Sequence, residues 1–309
     1  MDRLDELATF VAILDAGSLA EAGRRLRRSP PAVTRALAAL EERLDARLVE
    51  RTTRRLAPTE AGRRLAEQAR QLLADHDELV REAAGAGGAP RGLLRVTAPL
   101  VFGRKHVLPL VAAFLGAYPA VQIEVVLSDR NLDLVGEGLD VAVRIGRLAD
   151  SGLIARWVGE VRRVLVASPA YLAARSVPRN PRDLASHDAV LTSSRSVPLE
   201  WRFRSAAGRE RVVRPLPKLV VNEVEAALVA VRAGRGVTSA LSYQVADDLA
   251  SGALVRLLAD WEPPPLPVHL IAPSARHMPP RVRAFLDHMA RELELLVVIR
   301  AKSLPCPPP

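Results

Sequence analysis

Ser18-Leu19-Ala20-Glu21-Ala22-Gly23-Arg24-Arg25-Leu26-Arg27-Arg28-Ser29-Pro30-Pro31-Ala32-Val33-Thr34-Arg35-Ala36-Leu37 carries two helix starts in close succession. Ser18 to Glu21 has the S-x-x-E form, in which the serine side chain caps a free backbone donor and the glutamate reaches back to the cap. The helix that begins there is expected to run to about Leu26. Ser29 caps the next one, and Pro30 and Pro31 fill first-turn positions that need no intrahelical donor. Upstream, Leu4, Leu7, Val11 and Leu14 recur at helical spacing, and Gly17 suits a helix stop. The pattern is helix, helix, short turn, helix.

On the third helix Ala32, Val33, Ala36, Leu37, Leu40 and Leu44 form one apolar face, which is expected to pack on the first two helices. Its other face carries Pro31, Thr34, Arg35 and Ala38. Small residues around one hydroxyl and one guanidinium suit a helix that enters a major groove, where Thr34 and Arg35 would reach base edges or phosphates. Residues 24 to 55 hold ten arginines against four acids, so the positive charge is concentrated around this unit. Arg51-Thr52-Thr53-Arg54-Arg55-Leu56 reads as a short basic hairpin lying along a phosphate backbone. Ser18, Arg28, Ser29, Pro31, Thr34, Arg35, Arg51, Arg54 and Arg55 are therefore the candidate DNA contacts. Thr59 then caps a long helix in which Leu65, Leu72 and Leu79 repeat every seven residues, with Ala69, His76 and Ala83 four after each. Leu65, Ala69, Leu72, His76 and Leu79 make a seam that could pack internally but is expected to pair two subunits, because two-fold symmetry would match a paired operator.

The whole chain of 309 residues is long enough for about two domains. Its composition, 49% hydrophobic and 26% charged, is that of a globular protein rather than a disordered one. The net charge of +9 suits nucleic acid, although Arg-rich composition alone is weak evidence. The acidic start, Met1-Asp2-Arg3-Leu4-Asp5-Glu6, does not read as a secretory signal, so a cytoplasmic location is expected. The longest uncharged stretch, Val107 to Ile123, is interrupted by Pro109, Gly116 and Pro119, and no membrane span or membrane partner is expected. Cys306 is the one cysteine, which excludes an internal disulfide and a thiolate metal site.

Beyond Gly85-Ala86-Gly87-Gly88-Ala89-Pro90, a helix-breaking hinge, the sequence alternates. Apolar runs at Leu93 to Val96, Val121 to Leu127, Asp140 to Arg144, Val164 to Ala167, Leu216 to Val221, Val237 to Leu241 and Val268 to Ile271 are interleaved with helical stretches, as in a doubly wound α/β fold. Ligands in such folds sit off the carboxyl ends of strands, near free helix N-termini. Two such ends stand out, Ala98-Pro99-Leu100-Val101-Phe102-Gly103 and Asn222-Glu223.

This order of elements resembles the LysR-type transcriptional regulators. The resemblance rests on Phe10, Gly17-Ser18, Ala22, Leu26, Ser29-Pro30, Ala32-Val33-Thr34-Arg35, Leu40-Glu41, Leu44, Leu48, Arg51, Arg54, Thr59 and Ala61-Gly62. It continues through Asp140-Val141-Ala142-Val143-Arg144-Ile145-Gly146, Val166-Ala167-Ser168-Pro169-Ala170-Tyr171-Leu172 and Val282-Arg283-Ala284-Phe285-Leu286, covering residues 2 to 295. Gly23 stands where the family often has alanine, Asp45 where it usually has glycine, and Val49 where it usually has phenylalanine. Asp45 must close the third helix without glycine's freedom at positive φ.

The resemblance implies an N-terminal winged helix-turn-helix (1–58), a linker and dimerisation helix with its hinge (59–90), and an α/β effector-binding domain (91–297) with a tail (298–309). The effector domain would be two-lobed and periplasmic-binding-protein-like, lobe one comprising 91–163 plus 268–295 and lobe two 164–267. It also implies a dimer, commonly a tetramer, with RNA polymerase as a possible further partner. The effector would lie between the lobes, near Pro99, Leu100, Val101, Phe102, Gly103, Arg144, Gly146, Thr192, Asn222 and Glu223. A small anionic or aromatic molecule held by helix N-termini is expected, with Arg144 either its counter-charge or a structural ion-pair partner, and Phe102 either a contact or part of the core.

An enzyme is not expected. The chain lacks G-x-G-x-x-G after a strand, G-x-x-x-x-G-K-[ST], H-E-x-x-H and G-x-S-x-G. The six histidines are scattered, so neither a metal nor a cofactor is expected. Three readings stand at this point: a metabolite-switched regulator of promoter DNA, a ligand-binding protein whose basic N-terminus only dimerises it, and a nonspecific DNA binder. The last leaves the α/β domain without a role.

Overall fold

A computed structural model describes residues 2–51, 56–83, 89–148, 152–192, 200–273 and 278–300. The chain forms two compact units, one comprising Met1–Leu93 with Ala120–Gln122 and Pro279–Arg281, the other the remainder.

The first unit contains α1 (Arg3–Ala16), α2 (Leu19–Leu26), α3 (Pro30–Leu44), the antiparallel strands β1 (Val49–Arg51) and β2 (Leu56–Pro58), and α4 (Glu60–Ala83). Its core is Phe10, Ile13, Ala22, Val33, Leu37, Leu40, Leu48, Val49 and Ala66, with Leu7, Leu14, Leu19, Leu56 and Leu65 around it. Phe10 and Ile13 are fully buried, each contributing ~1.5–3 kcal/mol over an exposed position. Leu44, expected on the apolar face of α3, is 41% exposed. Arg281 is almost wholly buried in this unit, donating to the Leu93 carbonyl at 2.9 Å and pairing with Asp75 at 2.6 Å.

The helix ends follow the sequence with two refinements. Ser18 Oγ accepts the Glu21 amide at 3.2 Å, but the Glu21 carboxylate turns to Arg24 and Arg25 rather than back to the cap, so only half of the expected box forms. At the end of α3, Asp45 itself adopts the left-handed region at φ 49°, and Ala46 N donates to Glu41 O. Gly23 has a steric reason. A Cβ there would lie 2.8 Å from the Arg28 carbonyl, which the closing turn of α2 folds back over it.

The second unit is two-lobed. Lobe one holds β3 (Gly92–Ala98), a continuous helical stretch made of α5 (Leu100–Phe102), a π turn (Gly103–Val107) and α6 (Leu108–Ala117), then β4 (Val121–Leu127), β5 (Val141–Ile145) and β6 (Ile154–Val161). Lobe two holds β7 (Arg163–Ala167), α7 (Pro169–Ala174), β8 (Ala189–Thr192), β9 (Trp201–Arg204), β10 (Glu210–Val213), β11 (Pro217–Val221), α8 (Val224–Arg232), β12 (Val237–Leu241), α9 (Ala246–Ser251) and β13 (Val255–Leu257). The chain then returns through β14 (Leu266–Ala272) and α10 (Pro280–Leu295). One five-stranded sheet has the order β4-β3-β5-β14-β6 and the other β11-β8-β12-β7-β13, while β9 and β10 form a separate hairpin.

All seven expected apolar runs become strands. β6, β8, β9, β10 and β13 were not anticipated, because none is a continuous Val, Leu or Ile run bounded by turn residues. β7 shows why a fully covered strand reads as one hydrophobic block. Val164 and Val166 face the α8 side, and Leu165 and Ala167 face the Tyr171, Leu184 and Trp201 side. The stretch Leu100–Ala117 is long and apolar enough to cross a membrane. Here it buries Val101, Phe102, Val107, Val111 and Phe114, and Phe114 stacks edge-on against Phe285 of α10.

Candidate nucleic-acid interface and ligand cleft

On α3 the buried row Val33, Ala36, Leu37 and Leu40 fixes the helix against α1 and α2, so Pro31, Arg35 and Ala38 are exposed on the opposite side. Ser29 Oγ accepts the Ala32 amide at 3.4 Å, capping the helix. Thr34 is half-buried, its hydroxyl donating to the Pro30 carbonyl at 3.0 Å. Arg35 has no hydrogen-bond or ion-pair partner among the described residues, so its planar donor fork is available to a base edge or phosphate.

Arg28 differs from expectation. Its guanidinium pairs with Asp5 at 2.7 Å and donates to Thr9 Oγ1 at 3.1 Å, which raises its pKa through the bond to Asp5 and ties the turn to α1. The helical pattern hid this contact because Asp5 lies 23 residues away. Arg51 is in β1 opposite Leu56, as a hairpin requires, but its side chain and all of Arg54 and Arg55 lie outside the described residues.

The seven-residue seam of α4 divides in two. Leu65 packs against the core of the first unit and Ala69 is 2% exposed, so α1 and its neighbours already cover the two positions expected at a dimer seam. Leu72 (49% exposed) and Val80 (55% exposed) remain open, and His76 is exposed beside Asp77. The Leu79 side chain lies outside the described residues.

In the second unit the strand directions define a cleft. β3 and β5 are parallel, and β14 runs antiparallel to both β5 and β6, so β3, β5 and β6 share one carboxyl edge. In lobe two β8, β11 and β12 are parallel and share another. Phe102, fully buried, meets Tyr243 of lobe two edge-on at 5.1 Å and stacks against His106 at 5.1 Å. Lys105 pairs with Asp247 at 2.9 Å and Arg104 with Glu225 at 3.8 Å, both across the lobes. Burial pushes the Tyr243 phenol up and the His106 imidazole down, so both stay neutral near pH 7.

The expected ligand residues are distributed unevenly around this cleft. Pro99 and Leu100 are half-buried at the carboxyl end of β3, whereas Val101 and Gly103 are buried beneath them. Thr192 and Asn222 are exposed at the ends of β8 and β11, and Gly146 uses φ 122° to turn out of β5. Three expectations are corrected. Arg144 is 8% exposed and donates inward to the Arg130 carbonyl at 2.8 Å and the Leu132 carbonyl at 3.1 Å, so it braces a loop rather than facing a ligand. Desolvation lowers its pKa. The amide of Leu100, at the start of α5, is taken by Asp129 at 3.0 Å. The first amides of α8, Glu225 and Ala226, are taken by Glu223 at 2.9 and 3.0 Å. The helix N-termini expected to hold an anion therefore already hold carboxylates of the chain.

Asp129, His106, Tyr243 and Arg163 were not singled out in the sequence, since no motif or spacing marks them. A separate apolar hollow of about 220 Å³ lies between β6, β14 and α10, lined by Ile154, Leu270, Met278 and Leu286. Of the two arginines that line it, Arg156 and Arg283, the first is paired with Asp287 and Glu294. Among the described residues no group of three or more His, Cys, Asp or Glu could hold a metal ion.

Residues 4–63 match the bacterial regulatory helix-turn-helix protein, lysR family, and residues 87–294 match the LysR substrate binding domain. The chain belongs to the LysR family. This regulator is 37% identical over 295 residues to the HTH-type transcriptional regulator PtxR of Pseudomonas aeruginosa, covering 94% of each chain. Its fold is similar to that of CrgA, a LysR-type transcriptional regulator from Neisseria meningitidis, with 30% identity, a TM-score of 0.60 and coverage of 94% of this chain and 98% of that one. It is also similar to the full-length Vibrio cholerae virulence activator AphB, with 29% identity, a TM-score of 0.59 and coverage of 93% and 98%. The regulator is thus a DNA-binding transcriptional regulator with an effector-binding domain, not an enzyme.

Proposed function

We propose that the regulator reads promoter duplex with Thr34 and Arg35 of α3, as a homodimer joined through α4 beyond Leu72 and assembled further into a tetramer. Ser18, Ser29, Pro31, Arg51, Arg54 and Arg55 serve as flanking backbone contacts, since hydroxyls, small residues and guanidinium groups position a helix on phosphates. A small-molecule effector held between the lobes shifts the population of subunit arrangements, and so the spacing of the DNA-binding units and the bend in the DNA. Contact with RNA polymerase follows where the operator adjoins the promoter. No metal or other cofactor takes part, and the protein works in the cytoplasm, where its DNA lies.

The observation that carries this reading is Arg35, without a partner among the described residues and held outward by the buried row of α3. Gel-shift titration at two salt concentrations tests it. Arg35→Ala is expected to weaken operator binding by ~1–3 kcal/mol and to relax base preference at one position. Arg51→Ala is expected to weaken all sequences alike and flatten the salt dependence. Equal loss on operator and random DNA for Arg35→Ala removes its base-reading role.

A further inference from the structure

At the first crossing between the lobes the chain presents a cation without a partner among the described residues. β6 ends at Val161, on the carboxyl edge shared by β3 and β5, and two residues later Arg163 opens β7. β7 runs antiparallel to β12 with Arg163 opposite Leu241, so Arg163 stands level with the carboxyl ends of β8, β11 and β12. It therefore lies where the carboxyl edges of both sheets converge, the position at which open α/β sheets take ligands. The neighbouring residue holds the backbone there, because Ser242 N donates to Arg162 O at 2.7 Å and Arg162 N donates to Ser242 Oγ at 3.1 Å.

Among the described residues, Arg163 has no hydrogen-bond or ion-pair partner. Its side chain is open to solvent, yet surrounding protein desolvates it and lowers its pKa, with the Tyr243 ring as its electrostatic neighbour. A guanidinium at that edge without a carboxylate keeps its donor fork open to an incoming anion. The other candidate anion positions are filled, since Asp129 and Glu223 cap the flanking helices and Arg144 is spent on backbone carbonyls.

We propose that Arg163 is the counter-charge of the effector and that the effector is a small unphosphorylated monocarboxylate. One open guanidinium fork matches one carboxylate. The carboxylates of Asp129 and Glu223 on the rims disfavour a doubly charged phosphate. The proposal rests on the effector reading given above.

Calorimetric titration of the full chain with hexanoate and phenylacetate, each beside its neutral amide, and with inorganic phosphate, tests it against Arg163→Gln. The carboxylates are expected to bind the unaltered protein and to lose about tenfold or more in affinity in Arg163→Gln, while the amides bind both proteins equally weakly. Thermal unfolding of the variant checks that the fold is retained, and Arg163→Lys, which keeps the charge, is expected to recover part of the binding. Carboxylate binding unchanged in Arg163→Gln, no carboxylate binding at millimolar concentration, or tighter binding of phosphate overturns the proposal. Amide binding that is indifferent to Arg163→Gln but lost in Tyr243→Ala leaves the effector cleft standing and removes only the counter-charge. Failure of every probe, together with an operator footprint unmoved by any of them, counts against the cleft itself.

Discussion

Replacing Arg144 by methionine separates a structural brace from a ligand contact. The guanidinium makes two charge-assisted hydrogen bonds to main-chain carbonyls, at 2.8 Å to Arg130 and 3.1 Å to Leu132. Such bonds are worth ~1.5–3 kcal/mol each, or ~3–6 kcal/mol for the pair. Two effects reduce the sum: Arg130 is exposed, so water can replace part of its bond, and methionine spares the desolvation of a charge that is 8% exposed. A net loss of ~2–3 kcal/mol remains, which for a domain of this size lowers Tm by ~5–10 °C. Differential scanning calorimetry of the two proteins measures it directly. Arg144→Lys is expected to fall between them, because an ammonium cannot span two carbonyls as a planar fork does. A Tm within about 1 °C of the unaltered protein, accompanied by loss of effector response, refutes the brace and restores Arg144 to the ligand.

Two further outcomes follow from the backbone and from buried titratable groups. Asp45→Gly is expected to stabilise the chain by up to ~1 kcal/mol in urea unfolding, because glycine occupies the left-handed cap at φ 49° without the steric cost that a Cβ adds. His269 has its Nδ1 buried without a partner among the described residues, and burial holds its pKa below the ordinary histidine value. The unfolded chain then binds more protons, so the contribution is complete above about pH 6.5 and is lost as pH falls through the folded-state pKa. His269→Gln is expected to give a shallower fall in urea midpoint between neutral and mildly acidic pH than the unaltered protein shows.

The helices of the first unit, whose starts are fixed within a few residues, were readable from the chain itself. Ser18, Ser29 and Thr59 announce helix starts through a side chain that reaches only three residues ahead. The row of Val33, Ala36, Leu37 and Leu40 gives the buried side of α3 and thereby the outward side of Arg35. These are short-range effects of helical period and capping, so the first unit and its candidate DNA face could be anticipated. Apolar runs likewise marked seven strands, among them β5 and β7, which are covered on both faces and so carry side chains of one kind.

What only the tertiary structure decided is where charges find their partners. Arg28 turns to Asp5, Arg144 to two carbonyls 12 and 14 residues away, and the amides of Leu100, Glu225 and Ala226 to Asp129 and Glu223. A charge bonds whatever the fold brings within about 3 Å, and helical or strand periodicity carries no information about that distance. The position of Arg163 depends on the same kind of fact. Nothing in Val161-Arg162-Arg163-Val164 shows that β7 runs against its neighbours, yet that direction is what sets its first residue level with the carboxyl end of β12.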